Sequence, residues 1–344
     1  MIEEDERPVA DRLDGIATPA ESDFLVGHDA ARQAFLESWA SQRLHHAWLL
    51  SGPRGIGKAT LAFHLAKRLL SGRTDAASGI DTRVLGQIAQ GAHPGLLHLT
   101  RPWDSKTKRF KTQLSVDEIR RTQSFYGLTS ASGGWRICII DSADEMNASA
   151  ANALLKILEE PPKRSLFFVI SHASGAILPT IRSRCQALAL SPLSEAQVVS
   201  VLQSLEVEAS RNRIEQAAAL SGGSARQALQ VLQGGTLKAW QAFEQLGHAK
   251  GEAGDWVAAH KLADQLVAKG QEDAFWQFLD MVSGWIAEQP RGGDDRRLAV
   301  LAGWADVWEK TAQSIRLADA YNLDRKQVIL TLFSNLFAHN ARRM

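Results

Sequence analysis

The part of the chain with the clearest chemistry is the phosphate loop (P-loop), the segment from Gly52 to Lys58, which reads GPRGIGK. Glycines at 52, 55 and 57 let successive backbone N–H groups turn toward phosphate oxygens, and Lys58 adds a full positive charge. Such a loop is normally followed by a Ser or Thr whose hydroxyl binds Mg²⁺. Here that residue is Ala59. The sequence therefore predicts a nucleotide phosphate site at Gly52, Gly55, Gly57 and Lys58 that lacks its usual metal ligand.

Thr60 is the nearest hydroxyl to the missing ligand and belongs to the candidate site. Successive residues of a helix point about 100° apart, so we do not expect Thr60 to replace the hydroxyl. The glycines alone would also suit a tight turn without a ligand. The apolar run before the loop and the amphipathic pattern after it favour a phosphate site instead. ATP is the candidate ligand, and Mg²⁺ would bind only together with ATP.

A second acidic element follows the apolar run at 136–140, where Asp141 is placed to order magnesium as in phosphate-loop ATPases. Hydrolysing enzymes of the oligomeric class usually carry Glu next, which polarises the attacking water, but the residue here is Ser142. Asp144 and Glu145 come later, and we interpret them as charges at the start of a helix rather than as the base. Two losses at one site predict a chain that does not hydrolyse ATP on its own.

Two arginines are further candidates for contact with a nucleotide. Arg184 precedes the last apolar strand pattern. It could pair with a local carboxylate, or it could act at a subunit edge on a phosphoryl group bound by a neighbour. Arg226 follows a pair of glycines at the start of a helical pattern, where it could lean over a nucleotide or lie on the surface. The residues alone favour the local role for Arg184 and leave the two alternatives at Arg226 open.

The composition narrows the cellular setting. The 344 residues carry 39 Lys and Arg against 38 Asp and Glu, a net charge of +1, so no global field draws the chain to nucleic acid or membrane. Two cysteines, Cys138 and Cys185, argue against a four-cysteine zinc module and fit a reducing compartment. The acidic start resembles no export signal, and no apolar run approaches the roughly 20 residues that span a bilayer. We expect a cytoplasmic protein without zinc and without membrane contact.

The segment 101–111 departs from this charge balance. It contains five Lys and Arg residues and a single carboxylate, Asp104, beside Trp103 and Phe110. Such a stretch could touch a phosphate backbone, although a solvated hairpin tip is the more common explanation of a charge run. The sequence does not decide between the two.

The hydrophobic patterns indicate the elements that position these residues. Short apolar runs alternate with amphipathic helical patterns across 24–190, which predicts a mostly parallel sheet covered by helices on both faces. After 191–195 strand patterns vanish and the rest of the chain is helical. We predict a flexible lead over 1–22, an α/β nucleotide-binding domain over 23–190, a small helical domain over 191–235 and a second helical domain over 236–344.

The second helical domain contains six tryptophans at helical spacings. Residues in such a pattern are more often core than a ligand platform, although tryptophan is also enriched at subunit interfaces. They are Trp240, Trp256, Trp276, Trp285, Trp304 and Trp308.

Three motifs together make the chain resemble the clamp-loader branch of the AAA+ family. They are LHHAWLL at 44–50, which leads into the phosphate loop, NALLKILEEPP at 152–162, and SRC at 183–185. The second motif is highly specific. The resemblance covers roughly 24–230 by motif and the remaining helical part by layout only.

The resemblance implies an AAA+ domain, a helical lid over 191–235, and a collar over 236–344 that joins five subunits into a ring with a gap. It implies that Arg184 is an arginine finger, which enters the ATP site of a neighbouring gamma/tau motor subunit. The complex would also contain a clamp-opening delta subunit and would load the sliding clamp onto primed DNA. The chain would then be part of the clamp-loader ATPase of the DNA polymerase holoenzyme without being an ATPase alone.

The chain departs from the motor subunits of that family at three points. Motor subunits carry a hydroxyl after the loop lysine, a glutamate after the strand aspartate, and four zinc cysteines. Some non-motor relatives carry the zinc cysteines as well, so their absence does not exclude a non-motor role. A self-sufficient AAA+ ATPase that remodels DNA or protein is the main alternative, with Thr60 and Glu145 recruited for metal and base, but Ala59 and Ser142 argue against it. A small-molecule kinase would leave the helical C-terminal part and the SRC motif without a purpose.

Overall fold

A computed structural model describes residues 9–72, 79–127, 134–233, 236–247, 254–292, 298–321 and 323–341. The chain separates into two compact units. The first consists of Met1–Val207 with Gly222–Ala225, and the second of Glu208–Ser221 with Arg226–Met344. The predicted four-part division at residues 22, 190 and 235 is finer than this separation and stays a prediction.

The strands of the first unit are β1 (Ala47–Ser51), β2 (Leu96–Leu99), β3 (Trp103–Asp104), β4 (Arg109–Phe110), β5 (Arg136–Ile140), β6 (Ser165–Ser171) and β7 (Gln186–Ala189). Five of them form a sheet with the strand order β2-β5-β6-β1-β7. Every neighbouring pair in this sheet is parallel. Strands β3 and β4 form a separate antiparallel pair.

Helices cover both faces of this sheet. Successive residues of a strand point to opposite faces, and the strands carry apolar side chains on both. On one face Trp48 and Phe168 pack with the helices that contain Phe35 and Leu61. On the other, Phe167 packs with the helix that contains Leu154. The arrangement confirms the predicted α/β fold. The helices of this unit are α1 (Asp29–Ala40), α2 (Lys58–Leu70), α3 (Thr82–Ala89), α4 (Val116–Gly127), α5 (Ala148–Glu159), α6 (Pro179–Arg182) and α7 (Glu195–Ser204).

Every helix or strand described in the second unit is a helix, which confirms the predicted helical C-terminal part. Phe243 is fully buried at its centre, where its ring meets those of Trp240, Phe278, Trp285 and Phe333. No helix within the described ranges is long and apolar enough to cross a membrane. The helices are α8 (Arg211–Leu220), α9 (Ala225–Gln233), α10 (Thr236–Gly247), α11 (Trp256–Leu266), α12 (Glu272–Gly292), α13 (Leu298–Tyr321) and α14 (Arg325–Ala341).

The six tryptophans of this part of the chain divide by exposure. Trp240 and Trp304 are buried, at 3% and 4% exposed. Trp256 and Trp308 are 39% and 47% exposed. The remaining two, Trp276 and Trp285, are half-buried. The core interpretation therefore holds for the buried pair, and the most exposed pair lies on the surface of the unit.

Candidate functional site

The phosphate loop lies between β1 and α2, at the carboxyl end of the parallel strands, where open α/β sheets bind ligands. Gly57 precedes α2 with φ of +99°, a conformation that side chains with a Cβ rarely adopt. A Cβ at Gly52 would collide with the carbonyl oxygen of Leu190. Both positions need glycine, and the loop leads into the N-terminus of a helix. The cradle fits a phosphate group.

Lys58 is held inside this loop. Its Nζ donates to the carbonyl oxygens of Gly52 at 2.7 Å and Pro53 at 2.5 Å. Burial lowers the pKa of the ammonium group to about 8, although Asp141 and Asp144 act in the opposite direction. The loop therefore satisfies its own cation, and an incoming phosphate would compete with two carbonyl groups for it.

Asp141 follows β5 at the same edge of the sheet. Burial alone would raise the pKa of its carboxyl group, but the contact with His98 and the charges of His172 and Lys58 outweigh burial and hold the pKa below its usual range. His98 Nε2 lies 3.9 Å from Asp141 Oδ2. The structure thus brings Lys58 and an ionised Asp141 together, as the sequence predicts for a nucleotide site.

The metal side of the site fits less well than the phosphate side. Ala59 packs its methyl group against the hydrophobic cluster of α1 and α2, so it supplies no ligand. Thr60 stays a candidate residue of the site, and the expectation that it does not replace the missing ligand stays a prediction. Ser142 is 4% exposed and stands where a hydrolysing enzyme would carry glutamate. The residues present suit a bound ATP phosphate and leave the shell of Mg²⁺ one hydroxyl short.

Asp144 and Glu145 are both engaged within the protein. They lie in the 3₁₀ turn Ala143–Glu145, ahead of the Asn147 cap of α5 rather than in the first turn of that helix. Asp144 accepts from Ser171 Oγ at 2.6 Å and from the His172 backbone N–H at 2.5 Å. Glu145 Oε2 lies 2.9 Å from Arg101 Nε. These contacts support the interpretation that neither carboxylate is the water-activating base.

An ion-pair network beside the phosphate loop was not predicted from the sequence. Asp11 Oδ1 lies 2.9 Å from Arg54 Nη2 and 3.3 Å from Arg101 Nη2. Through Arg101 the network continues to Glu145. Asp11 stands in the predicted flexible lead, and Arg54 and Arg101 follow it at distances that match no helical or strand period. No sequence pattern could have indicated that they meet.

Arg184 lies on the loop between α6 and β7 and is 36% exposed. Its Nη2 is 2.8 Å from Glu159 Oε1, and its Nη1 donates to the carbonyl oxygen of Thr180 at 3.0 Å. Glu159 ends α5 and belongs to the NALLKILEEPP motif. Two motifs that carry the family resemblance therefore meet at this ion pair. The local carboxylate partner exists, and the guanidinium group still reaches the surface.

Arg226 is half-buried in the first turn of α9. It belongs to the second unit, whereas the phosphate loop belongs to the first. A contact between Arg226 and a nucleotide stays a prediction. The expectation that the chain binds no zinc also stays a prediction. Among the described residues, no group of three His, Cys, Asp or Glu side chains is arranged to hold a metal.

Comparisons with known proteins place residues 27–194 in a match to the family model of DNA polymerase III, delta subunit. DNA polymerase III subunit delta prime of Pseudomonas aeruginosa is 38% identical over 182 residues, which cover 52% of this chain and 53% of that protein. The Escherichia coli subunit of the same name is 32% identical over 230 residues, 66% of each chain. This chain thus spans about half to two thirds of the length of these relatives. A DNA polymerase III gamma subunit-related protein from Thermotoga maritima, of solved structure, aligns with a TM-score of 0.46 at 14% identity, covering 89% of this chain and 99% of that one.

Proposed function

The chain belongs to the delta-prime family of DNA polymerase III within the AAA+ clamp loaders, and from this premise we propose that it is the delta-prime subunit of a bacterial clamp loader. In this role it joins gamma/tau and delta subunits in a pentameric complex. The complex loads the sliding clamp onto primed DNA during replication. This chain supplies Arg184 to the ATP site of a neighbouring gamma/tau subunit.

The observation that carries the proposal is the position of Arg184. A guanidinium group has five N–H donors in a rigid plane and stays charged at every physiological pH. At Arg184 two donors hold Glu159 and the Thr180 carbonyl oxygen, and the group remains 36% exposed. It is therefore fixed in direction and open to an approaching phosphate. An arginine in that role raises the rate of phosphoryl transfer by about 10³ to 10⁵.

The chain's own phosphate loop serves binding rather than hydrolysis in this proposal. Gly52, Gly55, Gly57 and Lys58 would hold the ATP phosphates, and Asp141 would face a magnesium ion that arrives with ATP. Bound Mg²⁺ would neutralise phosphate charge. Because Ala59 supplies no hydroxyl ligand and Ser142 supplies no base, we expect the nucleotide to persist unhydrolysed.

The alternative, a self-sufficient AAA+ ATPase, requires Glu145 to activate water. Glu145 instead pairs with Arg101 at 2.9 Å. The two functions separate in one experiment, steady-state ATP hydrolysis by the purified chain, followed by clamp loading onto primed DNA with and without the chain. We expect background hydrolysis by the chain alone and a strict requirement for it in loading. Turnover by the isolated chain, or loading in its absence, would favour the alternative.

A further inference from the structure

Strands β3 and β4 form a small hairpin, which we call the basic hairpin, residues 103–111. Trp103 pairs with Phe110 and Asp104 with Arg109 across the strands. The two aromatic rings meet edge to face, with centroids 4.9 Å apart. The Lys111 backbone N–H donates to the Pro102 carbonyl oxygen at 3.0 Å and closes the base. An aromatic pair and a short ladder thus fix the shape of the hairpin.

The basic hairpin presents cationic side chains with little to neutralise them. Among the residues that the structure describes, none of the four exposed Lys and Arg side chains of the hairpin takes part in an ion pair. The one carboxylate of the hairpin, Asp104, accepts from the backbone N–H groups of Lys106 at 2.9 Å and Thr107 at 3.3 Å, and these hydrogen bonds lower its pKa. The Asp104 carboxylate therefore binds backbone N–H groups of the turn. The exposed cations are Lys106, Lys108, Arg109 and Lys111.

We propose that the basic hairpin is a direct contact surface for the phosphodiester backbone of DNA. Duplex DNA carries one negative charge per roughly 1.7 Å of its axis, and four cations within six residues match such a dense row of charge. The exposed hydroxyl of Ser105, next to Lys106, can donate to a phosphate oxygen. Trp103 and Phe110 are engaged with each other, so the contact is electrostatic and independent of base sequence.

An acidic protein surface would also attract these cations. The carboxylates of a protein are scattered over its surface, however, whereas the phosphates of DNA follow one another at a regular spacing. The proposal rests on the proposed function only in naming DNA as the polyanion. The contact belongs to the hairpin itself and requires neither Arg184 nor a neighbouring subunit.

The test is fluorescence anisotropy of a labelled primer–template duplex titrated with the full chain over a salt series. Four phosphate contacts predict a slope of log affinity against log salt near −3.6, which is a loss of about 100-fold between 50 and 200 mM salt. The hairpin variant carries Lys106→Gln, Lys108→Gln, Arg109→Gln and Lys111→Gln. The control variant removes four exposed cations from elsewhere: Arg43→Gln, Arg83→Gln, Lys163→Gln and Lys269→Gln.

We expect the hairpin variant to lose about 3 units of the salt slope, while the control variant loses less than about 1. Melting curves that match wild type would show that both variants fold. The proposal is overturned if the two variants lose slope equally, if the hairpin variant binds as wild type does, or if wild type shows no salt-dependent binding. Unchanged DNA binding with weakened assembly of the hairpin variant would point to an acidic protein partner. The proposed function survives any of these outcomes, because it depends on Arg184 and not on the hairpin.

Discussion

Glu159 Oε1 lies 2.8 Å from Nη2 of Arg184, and this ion pair joins the end of α5 to the loop before β7. The two side chains are 44% and 36% exposed, so the pair contributes at most about 1 kcal/mol to stability. Its main effect is to direct the guanidinium group, together with the carbonyl oxygen of Thr180. Under the proposed function Glu159 is therefore a positioning residue for Arg184.

Replacing Glu159 tests this positioning. With Glu159→Gln, a neutral amide holds the guanidinium group less firmly, and we expect kcat of the reconstituted complex to fall about fivefold, the equivalent of ~1 kcal/mol, with KM for ATP unchanged. Glu160→Gln is the matched control, since Glu160 is the exposed next residue. Equal rates for the two variants would remove Glu159 from the mechanism, and a shifted KM would indicate a different role.

The pH dependence of ATP binding reports on Lys58. Its ammonium pKa lies near 8 before a ligand binds, against an ordinary value of 10.5, and a bound phosphate raises it. ATP affinity should therefore fall as pH rises through 8, by up to about tenfold per pH unit, with proton uptake on binding. Calorimetry in buffers of different ionisation enthalpy measures both effects. In Lys58→Arg the guanidinium group stays charged, so affinity should remain level from pH 7.5 to 9.5; an equal decline in both proteins would contradict this assignment.

The same pKa shift predicts the pH dependence of folding. Between about pH 8 and 10.5 the unfolded chain keeps Lys58 protonated, whereas the folded chain loses that proton. The unfolded state then binds more protons, so the contribution of Lys58 to the free energy of unfolding rises with pH across this window and is constant below it. Urea unfolding of wild type and Lys58→Met at pH 7.5 and 9.5 isolates the contribution. A difference between the two proteins that does not change with pH would contradict the lowered pKa.

Restoring the missing hydroxyl should restore metal dependence. Ala59→Ser adds one oxygen at the position that binds Mg²⁺ in complete phosphate loops, and we expect ATP affinity to gain about tenfold from Mg²⁺, ~1.4 kcal/mol. Wild type should gain less than about threefold. Thr60→Val serves as the control and should behave as wild type in nucleotide titrations with and without Mg²⁺. If Thr60→Val instead abolished a metal effect in the wild-type background, Thr60 would be the ligand.

The aromatic cluster around Phe243 should carry much of the stability of the helical unit. Phe243 is fully buried among four rings, so Phe243→Ala leaves a cavity and should cost about 3 to 5 kcal/mol in the free energy of unfolding. Trp308 is 47% exposed, and Trp308→Ala should cost less than about 1 kcal/mol. Urea denaturation followed by circular dichroism compares them. Similar losses for both would show that the cluster is not the core of this unit.

Periodicity allowed much of the fold to be predicted. β6 is buried at every residue, and its residues 166–170 form a continuous apolar run, because helices cover both faces of the sheet. Helix α5 is delimited by Asn147, whose side chain accepts from the Ala150 backbone N–H, and by Pro161 beyond its end. The phosphate loop and Asp141 were predictable for a related reason, since carboxyl ends of parallel strands share one edge of the sheet.

The contacts between distant side chains were beyond such patterns. Asp11, Arg54 and Arg101 meet only because the folded chain brings together segments that share no periodicity. Glu159 and Arg184 each stand in a recognisable motif, yet their pairing depends on the packing of α5 against the loop before β7. Sequence periodicity predicts helices and strands, whereas the partners of exposed ion pairs depend on how those helices and strands pack.

The most direct test of the central proposal is steady-state ATP hydrolysis by the chain mixed with gamma/tau, delta, clamp and primed DNA from the same source. Arg184→Ala is compared with wild type and with Arg182→Ala, an exposed arginine two residues away. We predict no ATP hydrolysis by the isolated chain and full stimulation of hydrolysis in the mixture with wild type and with Arg182→Ala. With Arg184→Ala, the rate of hydrolysis at the neighbouring site should fall by about 10³-fold or more. Undiminished hydrolysis with Arg184→Ala, or turnover by the isolated chain that is indifferent to it, would contradict the proposal.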